Sequence, residues 1–317
     1  MEKSLKGISE YGGVKAAQDE LKEILERAAD LRAYISGHEA GAEMLRRENQ
    51  EEFDKVQNAA DEVLAENNPH RFRKSEYIID SIETRIGRNG ELYKCGVGNA
   101  ELWTYANALL ALYFAATGKK DNAERIIEGI ESRIGRDGEL YKVGVGNAEL
   151  WTDDTALMAL YFAATGKKDN AERIIAGIES RIGRDGELYK TSVGNAKICT
   201  VPNAIMALYF AATGKKDNAE RIIAGIESRI GRDGELYKAG RDDARLWTYT
   251  NAVMALYFAV TEKRDNADRI IEGIESRIGR DGELYKAGVG NAGLWTYSNA
   301  LIALHFAVRE GARLEAI

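Results

Sequence analysis

The sequence has little of several residue types that define common functional classes. Its 317 residues include only two cysteines, two prolines and three histidines. Cys95 and Cys199 form no CxxC pair, so neither a disulfide framework nor a cysteine zinc site is expected. The histidines His38, His70 and His305 are scattered along the chain. We therefore predict no metal site and no cofactor.

The sequence also lacks an excess of basic over acidic residues, and it lacks long apolar runs. The net charge is -7 and no basic stripe is present, so nucleic acid is not an expected partner. The chain has no run of about 18 apolar residues, and its first residues lack the apolar core of a signal peptide. We therefore predict no membrane span and a cytoplasmic location.

A tandem repeat dominates what is present. The segment GELYK starts at 90, 138, 186, 234 and 282, a constant period of 48 residues. Such self-similarity indicates a repeat architecture. In each copy, a segment such as 121–135 has one apolar stripe at helical spacing, and a segment such as 103–118 is apolar almost all round. The first predicts a half-buried outer helix and the second a buried inner helix.

Polar residues and glycines mark the expected ends of these helices. Asp121 and Glu124 have the spacing of a capping box, and Thr104 is a candidate N-cap of the inner helix. Gly118 and Gly135 are expected stops in the left-handed conformation. A long glycine-rich segment, expected to be a loop, connects each outer helix to the inner helix that follows.

Residues 1–72 do not repeat and are predicted to form a long helical hairpin, followed by a five-repeat α/α domain over 73–317. The expected fold is an all-α toroid of six helical hairpins, about 12 helices, in which this hairpin completes the ring. The alternative is an open α-solenoid with the hairpin as a polar cap. The hairpin could also mediate a homo-oligomer.

The repeat resembles that of the α/α-toroid superfamily. Copy 2 reads DGELY (137–141), WTDDTALMAL (151–160) and TG (165–166). Squalene and terpene cyclases and protein prenyltransferases have a similar aspartate-glycine-aromatic turn before an inner helix of this type. Six-hairpin glycosidases look similar through inner helices that open like WTYANA (103–108). The resemblance implies the toroid fold, whereas function depends on the site residues.

One local match is closer. Class II terpene cyclases carry Asp-x-Asp-Asp-Thr-Ala at the start of an inner helix, and residues 151–156 read Trp-Thr-Asp-Asp-Thr-Ala. The resemblance implies that Asp153 is a general acid and Asp154 its partner. The first aspartate of the motif is replaced by Trp151, which departs from the family pattern.

The copies differ mainly in the 16 residues after GELYK, which include the first turns of the inner helix. In a ring these segments converge at one pole, where we expect the binding surface. The candidate catalytic residues are Asp153 and Asp154, because adjacent buried carboxyls repel and keep a proton. The candidate ligand-binding residues are Trp103, Tyr105, Trp151, Lys197, Cys199, Trp247, Tyr249, Trp295 and Tyr297.

Three functions remain open on this basis. The near-identity of the copies favours a toroid whose central cavity, at the pole of the inner-helix N-termini, binds a small molecule or a protein partner without catalysis. A terpene-cyclase-like enzyme or isoprenoid binder would use Asp153 as acid and aromatic faces to stabilise cationic carbon. A carbohydrate-active enzyme would use Asp153 or Asp154 as acid, with Asp242 or Asp243 as the second carboxylate.

Overall fold

The computed structural model describes residues 73–312 and residue 314, so the hairpin expected over 1–72 lies outside the described residues. Within them, each repeat contributes an outer helix and an inner helix. The outer helices are α1 (Arg73–Arg85), α3 (Lys120–Gly129), α5 (Lys168–Arg181), α7 (Lys216–Arg229) and α9 (Arg264–Arg277). The inner helices are α2 (Thr104–Ala116), α4 (Thr152–Ala164), α6 (Thr200–Ala212), α8 (Thr248–Val260) and α10 (Thr296–Arg309). A π-helical turn, Ile130–Ile134, extends α3.

Apolar patterning positions the two kinds of helix as expected. Along α3 and its extension, the buried side chains Ala123, Ile126, Ile130 and Ile134 follow one face. The inner helices are buried on almost every side. Each one packs against both neighbouring inner helices and against the outer helix that follows it in the ring, so that α2 packs on α3 and α10 packs on α1. The core therefore lies between and around the inner helices.

The glycine-rich connection between outer and inner helix contains a small antiparallel sheet. Its strands are β1 (Arg88–Asn89) with β2 (Leu92–Tyr93), β3 (Arg136–Asp137) with β4 (Leu140–Gly144) and β5 (Asn147–Leu150), β6 (Arg184–Asp185) with β7 (Leu188–Tyr189), β8 (Arg232–Asp233) with β9 (Leu236–Tyr237), and β10 (Arg280–Asp281) with β11 (Leu284–Tyr285). Gly138, at φ +60°, supplies the positive φ that the two-residue turn between β3 and β4 requires. The sequence predicted a loop for this connection and no strands, because strands of two residues are too short to show an alternation of apolar and polar residues.

The five repeats close into a ring without a further element. The hydroxyl of Thr152 donates to the carbonyl of Lys190 in the next repeat at 2.6 Å, and Thr200 repeats this contact with Lys238. Thr296 of repeat 5 makes the same contact with Lys94 of repeat 1, at 2.5 Å. Inner helix α10 packs directly on α2. The last interface therefore has the same hydrogen bonds as the internal ones.

The outer side closes in the same way. Arg181 and Arg229 each donate to the β-turn carbonyl of the preceding repeat, at 2.6 and 2.7 Å. Arg85 of repeat 1 donates to the carbonyl of Asp281 in repeat 5 at 2.7 Å. The predicted α/α toroid is thus confirmed and the open solenoid is not formed. The expected count of six hairpins is corrected, because five hairpins close this ring.

Two of the expected helix caps were wrong. Thr104 is the first residue of the inner helix and not its N-cap. The hydroxyl of Thr104 donates a hydrogen bond to the carbonyl of Lys142 in the next repeat. Outer helix α3 starts at Lys120 with no side-chain cap, so Asp121 lies in the first turn, where its charge complements the helix dipole. Gly118 and Gly135 do follow helix ends with positive φ.

None of the helices formed by residues 73–312 combines the length and the apolar character needed to cross a bilayer.

Candidate functional site

The inner helices begin at one end of the ring, which we call the N-terminal pole. Two sets of residues related by the repeat line it. The cap set precedes each inner helix in extended conformation and consists of Trp103, Trp151, Cys199, Trp247 and Trp295. The inner set is the second residue of each inner helix and consists of Tyr105, Asp153, Val201, Tyr249 and Tyr297.

Aromatic rings close the pole on the side of repeats 4, 5 and 1. Tyr297 stacks between Trp295 and Trp103, with ring centroids 6.0 and 6.4 Å apart and interplanar angles of 16° and 11°. Tyr105 and Tyr249 contact its edges at 5.6 and 5.3 Å. Such pairs add to the burial energy, so this side is a packed aromatic layer.

Asp153 occupies the inner set in repeat 2, where repeats 1, 4 and 5 have tyrosine. Its carboxyl is partly exposed, but Oδ1 is buried and has no hydrogen-bond partner among the described residues. Burial raises the pKa of Asp153 to about 6, while the backbone N–H groups of residues 153 and 154 act in the opposite direction. Asp153 is therefore a carboxyl that holds a proton in mildly acidic solution.

The charge of Asp153 also acts on phenols from other repeats. Burial is the main cause of the raised pKa values of Tyr105 and Tyr249, and the Asp153 charge is the next cause for both. The pKa of Tyr249 reaches about 12. Tyr105 and Tyr249 belong to repeats 1 and 4, so the inner set converges on the ring axis as expected. Tyr105 Oη and Ser298 Oγ are further buried polar atoms without a partner among the described residues.

Asp154 has a different role from Asp153. It is 2% exposed, and its Oδ1 accepts a hydrogen bond from the backbone N–H of Tyr105 at 2.8 Å. That N–H belongs to the first turn of α2 and has no partner within its own helix. Burial and repulsion by Asp153 raise the pKa of Asp154. Asp154 therefore caps the inner helix of the preceding repeat.

The residue after Asp154 also has a structural role. In the other repeats this position is asparagine, as at Asn251, whose Oδ1 accepts from Tyr237 N–H at 2.6 Å and whose Nδ2 donates to Trp247 O at 2.9 Å. In repeat 2 the hydroxyl of Thr155 accepts from Tyr141 N–H at 3.2 Å. Of the Asp-Asp-Thr motif, two residues thus serve the scaffold, whereas Oδ1 of Asp153 has no partner in the described part of the chain.

Repeat 3 lacks both aromatic rings of the pole. Cys199 replaces the cap-set tryptophan and Val201 replaces the inner-set tyrosine, while Pro202 is accommodated in the first turn of α6. Burial is the main cause of the raised Cys199 pKa, and the charges of Asp153 and Asp243 add to it, whereas Lys197 lowers it. The thiol of Cys199 therefore lies within electrostatic reach of Asp153 in the preceding repeat.

Repeat 4 brings an ion pair to the same rim. Arg245 donates to both carboxylate oxygens of Asp243, at 2.8 and 2.6 Å, and its guanidinium lies 5.0 Å from the centroid of Trp247. This pairing lowers the pKa of Asp243 and keeps it ionised. Asp242 is 85% exposed and lies 3.8 Å from Arg241, a longer and more solvated ion pair than that of Asp243.

One residue of the site was not foreseen. Ser192 stands where repeats 1, 2, 4 and 5 have Gly96, Gly144, Gly240 and Gly288. A Cβ at Gly288 would lie 2.6 Å from Trp247 Cε3, and one at Gly96 would lie 2.9 Å from Trp295 Cε3. At the equivalent position in repeat 3, Ser192 carries a Cβ, and its backbone pairs with that of Trp151. Trp151 is 37% exposed and donates from Nε1 to Glu149 at 3.1 Å. Comparing residue 192 with its repeat equivalents would have revealed the change.

A cavity of about 420 Å³ lies at the other end of the ring, beside α5 and the end of α6. Its lining includes Lys168, Glu172, Tyr209, Lys215 and Lys216, and Lys215 lies 4.0 Å from Glu172. The segment 166–190 is identical to 214–238, so this end of the ring has little of the asymmetry that marks the N-terminal pole. Across residues 73–312, no group of three or more His, Cys, Asp or Glu side chains is arranged to hold a metal ion.

Comparison with solved structures identifies other toroids. A GH76 α-mannanase from Bacteroides thetaiotaomicron is similar with a TM-score of 0.51 and 12% identity, over 77% of this chain and 96% of that chain. A glycosidase solved with glucose gives a TM-score of 0.55 and 11% identity, over 77% and 98%. An α-amylase from Clostridium perfringens gives a TM-score of 0.51 and 10% identity, over 74% and 97%.

These likenesses confirm the expected similarity to six-hairpin glycosidases at the level of the fold, since the identities are low. No protein-family profile and no curated protein matches the sequence.

Proposed function

We propose that the protein is carbohydrate-active, binding a sugar at the N-terminal pole with Asp153 as its general acid. The observation that carries the proposal is the carboxyl of Asp153, whose buried Oδ1 has no partner in the described part of the chain. Buried polar atoms without partners are rare in folded proteins and suggest that a ligand or water completes them. A sugar hydroxyl or glycosidic oxygen would satisfy this atom.

The aromatic rings around Asp153 support a sugar over other ligands. Trp151 is exposed, and the tryptophans Trp103, Trp247 and Trp295 are partly exposed at the same pole. Indole faces suit the C–H faces of a pyranose ring, while the phenol and carboxyl groups below them suit its hydroxyls. The glycosidase names of the similar structures agree with this choice.

Hydrolysis would need a second carboxylate besides the acid. Protonated Asp153 would donate its proton to the leaving glycosidic oxygen as the C–O bond breaks. Asp243 is the candidate base or nucleophile, because Arg245 keeps it ionised on the neighbouring rim. Acting as a base, Asp243 would remove a proton from the water that attacks the sugar carbon.

A second candidate is a sugar-binding toroid without hydrolysis. Asp154 is occupied by the Tyr105 N–H, and Asp243 is held by both nitrogens of Arg245, so neither is a free second carboxylate. An isoprenoid ligand, a protein partner, a homo-oligomer through residues 1–72 and a cytoplasmic location stay predictions from the sequence.

Binding can be tested by calorimetric titration of mannotriose and maltotriose into the wild type and Trp151→Ala. We expect binding of at least one trisaccharide and a loss of about tenfold or more in the variant, because its stacking face is removed. Tyr77→Ala is the control, since Tyr77 is an exposed ring on α1, away from the pole. Absence of binding to the wild type, or equal losses in both variants, would contradict the proposal.

A further inference from the structure

The ring of aromatic residues at the N-terminal pole is interrupted at one place. Cys199 and Val201 of repeat 3 replace a tryptophan and a tyrosine that repeats 1, 4 and 5 all have. Each aromatic ring would cover roughly 150–250 Å² of neighbouring surface. Cys199 remains partly exposed, whereas Cys95, after the first GELYK, is fully buried. Residue 199 thus lacks the indole that fills this space in the other repeats, and we call the space beside the partly exposed Cys199 the opening.

Ser192 enlarges the same opening from the other side. In repeats 4 and 5 the indole lies against a glycine of the following repeat, so close that a Cβ would be 2.6 or 2.9 Å from Cε3. The backbone bridge between Trp151 and Ser192 is kept, so the Ser192 Cβ lies where such an indole edge would pack. Trp151 accordingly presents an exposed face, and no ring stacks on it among the described residues.

Asp153 adjoins this opening. Its repeat lies directly before repeat 3, and α4 packs on α6. The Asp153 charge acts on the Cys199 thiol and on Tyr249 from the far side of the opening. The unpartnered Oδ1 of Asp153 thus belongs to the repeat that directly precedes the missing rings of Cys199 and Val201. The departures from the repeat at 153, 192, 199 and 201 all lie in the adjacent repeats 2 and 3.

We infer that this opening is the seat of one pyranose ring, with Cys199 as its floor, Trp151 as its stacking wall and Asp153 as its hydrogen-bonding partner. The inference rests on the proposed function and specifies where the sugar lies. Lys197, exposed at the mouth of the opening, would donate to a hydroxyl of the sugar. The aromatic layer of repeats 4, 5 and 1 would then serve as a scaffold, because its rings are already stacked on one another.

The test restores the repeat consensus. Cys199→Trp and, separately, Ser192→Gly introduce residues that other repeats already accommodate, so both variants should fold. We expect Cys199→Trp to weaken mannotriose or maltotriose binding by about tenfold or more, and Ser192→Gly to weaken it by a smaller factor. Ile198→Leu is the matched control, because it also restores the consensus but changes a buried neighbour that does not face the opening.

A second readout does not depend on a variant. Bound trisaccharide should slow alkylation of Cys199 by N-ethylmaleimide at about pH 8.5, with fully buried Cys95 as the internal reference. If the wild type binds sugar while Cys199→Trp binds equally and the thiol is not protected, this location is wrong and the proposed function survives. If neither trisaccharide binds to the wild type, both are overturned. Loss of binding together with protection supports the location.

Discussion

Replacing Asp153 by asparagine is expected to stabilise the toroid, and to do so more as the pH rises. Burial raises the pKa of Asp153 from 3.8 to about 6, so the folded state holds this proton more tightly than the unfolded state does. The stability that comes from the bound proton is fully present below pH 3.8 and is lost as the pH rises through about 6. The amide of the Asp153→Asn variant would have no such proton to lose.

The magnitude follows from the two pKa values. At about 1.36 kcal/mol per pKa unit, charging Asp153 in the fold costs about 2 kcal/mol at about pH 5 and about 3 kcal/mol at about pH 7.5. Loss of a negative charge from the start of α4 would offset about 0.3–1 kcal/mol of the gain. The advantage of the variant should therefore grow by about 1 kcal/mol between these pH values.

Urea unfolding followed by tryptophan fluorescence is the appropriate assay, because all four tryptophans of the chain lie at the N-terminal pole. The free energy of unfolding is measured for wild type, Asp153→Asn and the exposed control Asp242→Asn at each pH. Parallel pH profiles for wild type and Asp153→Asn would refute the argument, because Asp153 would then titrate alike in the folded and unfolded states.

Other substitutions test the scaffold, each by urea unfolding. Asp154→Ala should cost about 1–2 kcal/mol by removing the cap on Tyr105 N–H, whereas Asp154→Asn keeps an acceptor and should cost less. Gly288→Ala should cost about 3 kcal/mol, because the added Cβ would be 2.7 Å from Leu246 O. Gly98→Ala should cost only about 1 kcal/mol, because its Cβ would meet no other atom and only the φ of +75° is unfavourable. Asn251→Ala should cost about 2–4 kcal/mol, since buried backbone groups lose their partner. Equal costs for Asp154→Ala and Asp154→Asn, or for Gly288→Ala and Gly98→Ala, would contradict these assignments.

Much of the fold could be predicted from the sequence because the repeat is almost perfect. The 48-residue period and the two kinds of apolar pattern predict the paired helices directly. The number of hairpins in the ring could not be predicted, since it depends on the angle between successive repeats. The contact of Thr296 with Lys94, which closes the ring, joins residues 202 positions apart.

The candidate site was partly predictable for a related reason. Departures from the repeat drew attention to Asp153 and Cys199, because symmetry makes each exception visible, whereas the aromatic residues stand out because they recur. The role of Asp154 was not visible, since its partner Tyr105 lies 49 residues away in another repeat. The effect of Ser192 depends on how closely an indole approaches the neighbouring backbone, which only coordinates reveal.

The most direct test of the account is the release of reducing ends from α-mannan and starch by wild type, Asp153→Asn and Asp154→Asn. The account predicts release by the wild type that declines above about pH 6, where Asp153 loses its proton, and none by Asp153→Asn. Asp154→Asn should keep measurable release, because its amide oxygen can still cap α2. Release that is unchanged in Asp153→Asn, or no release by the wild type from either polymer, would contradict Asp153 as the general acid.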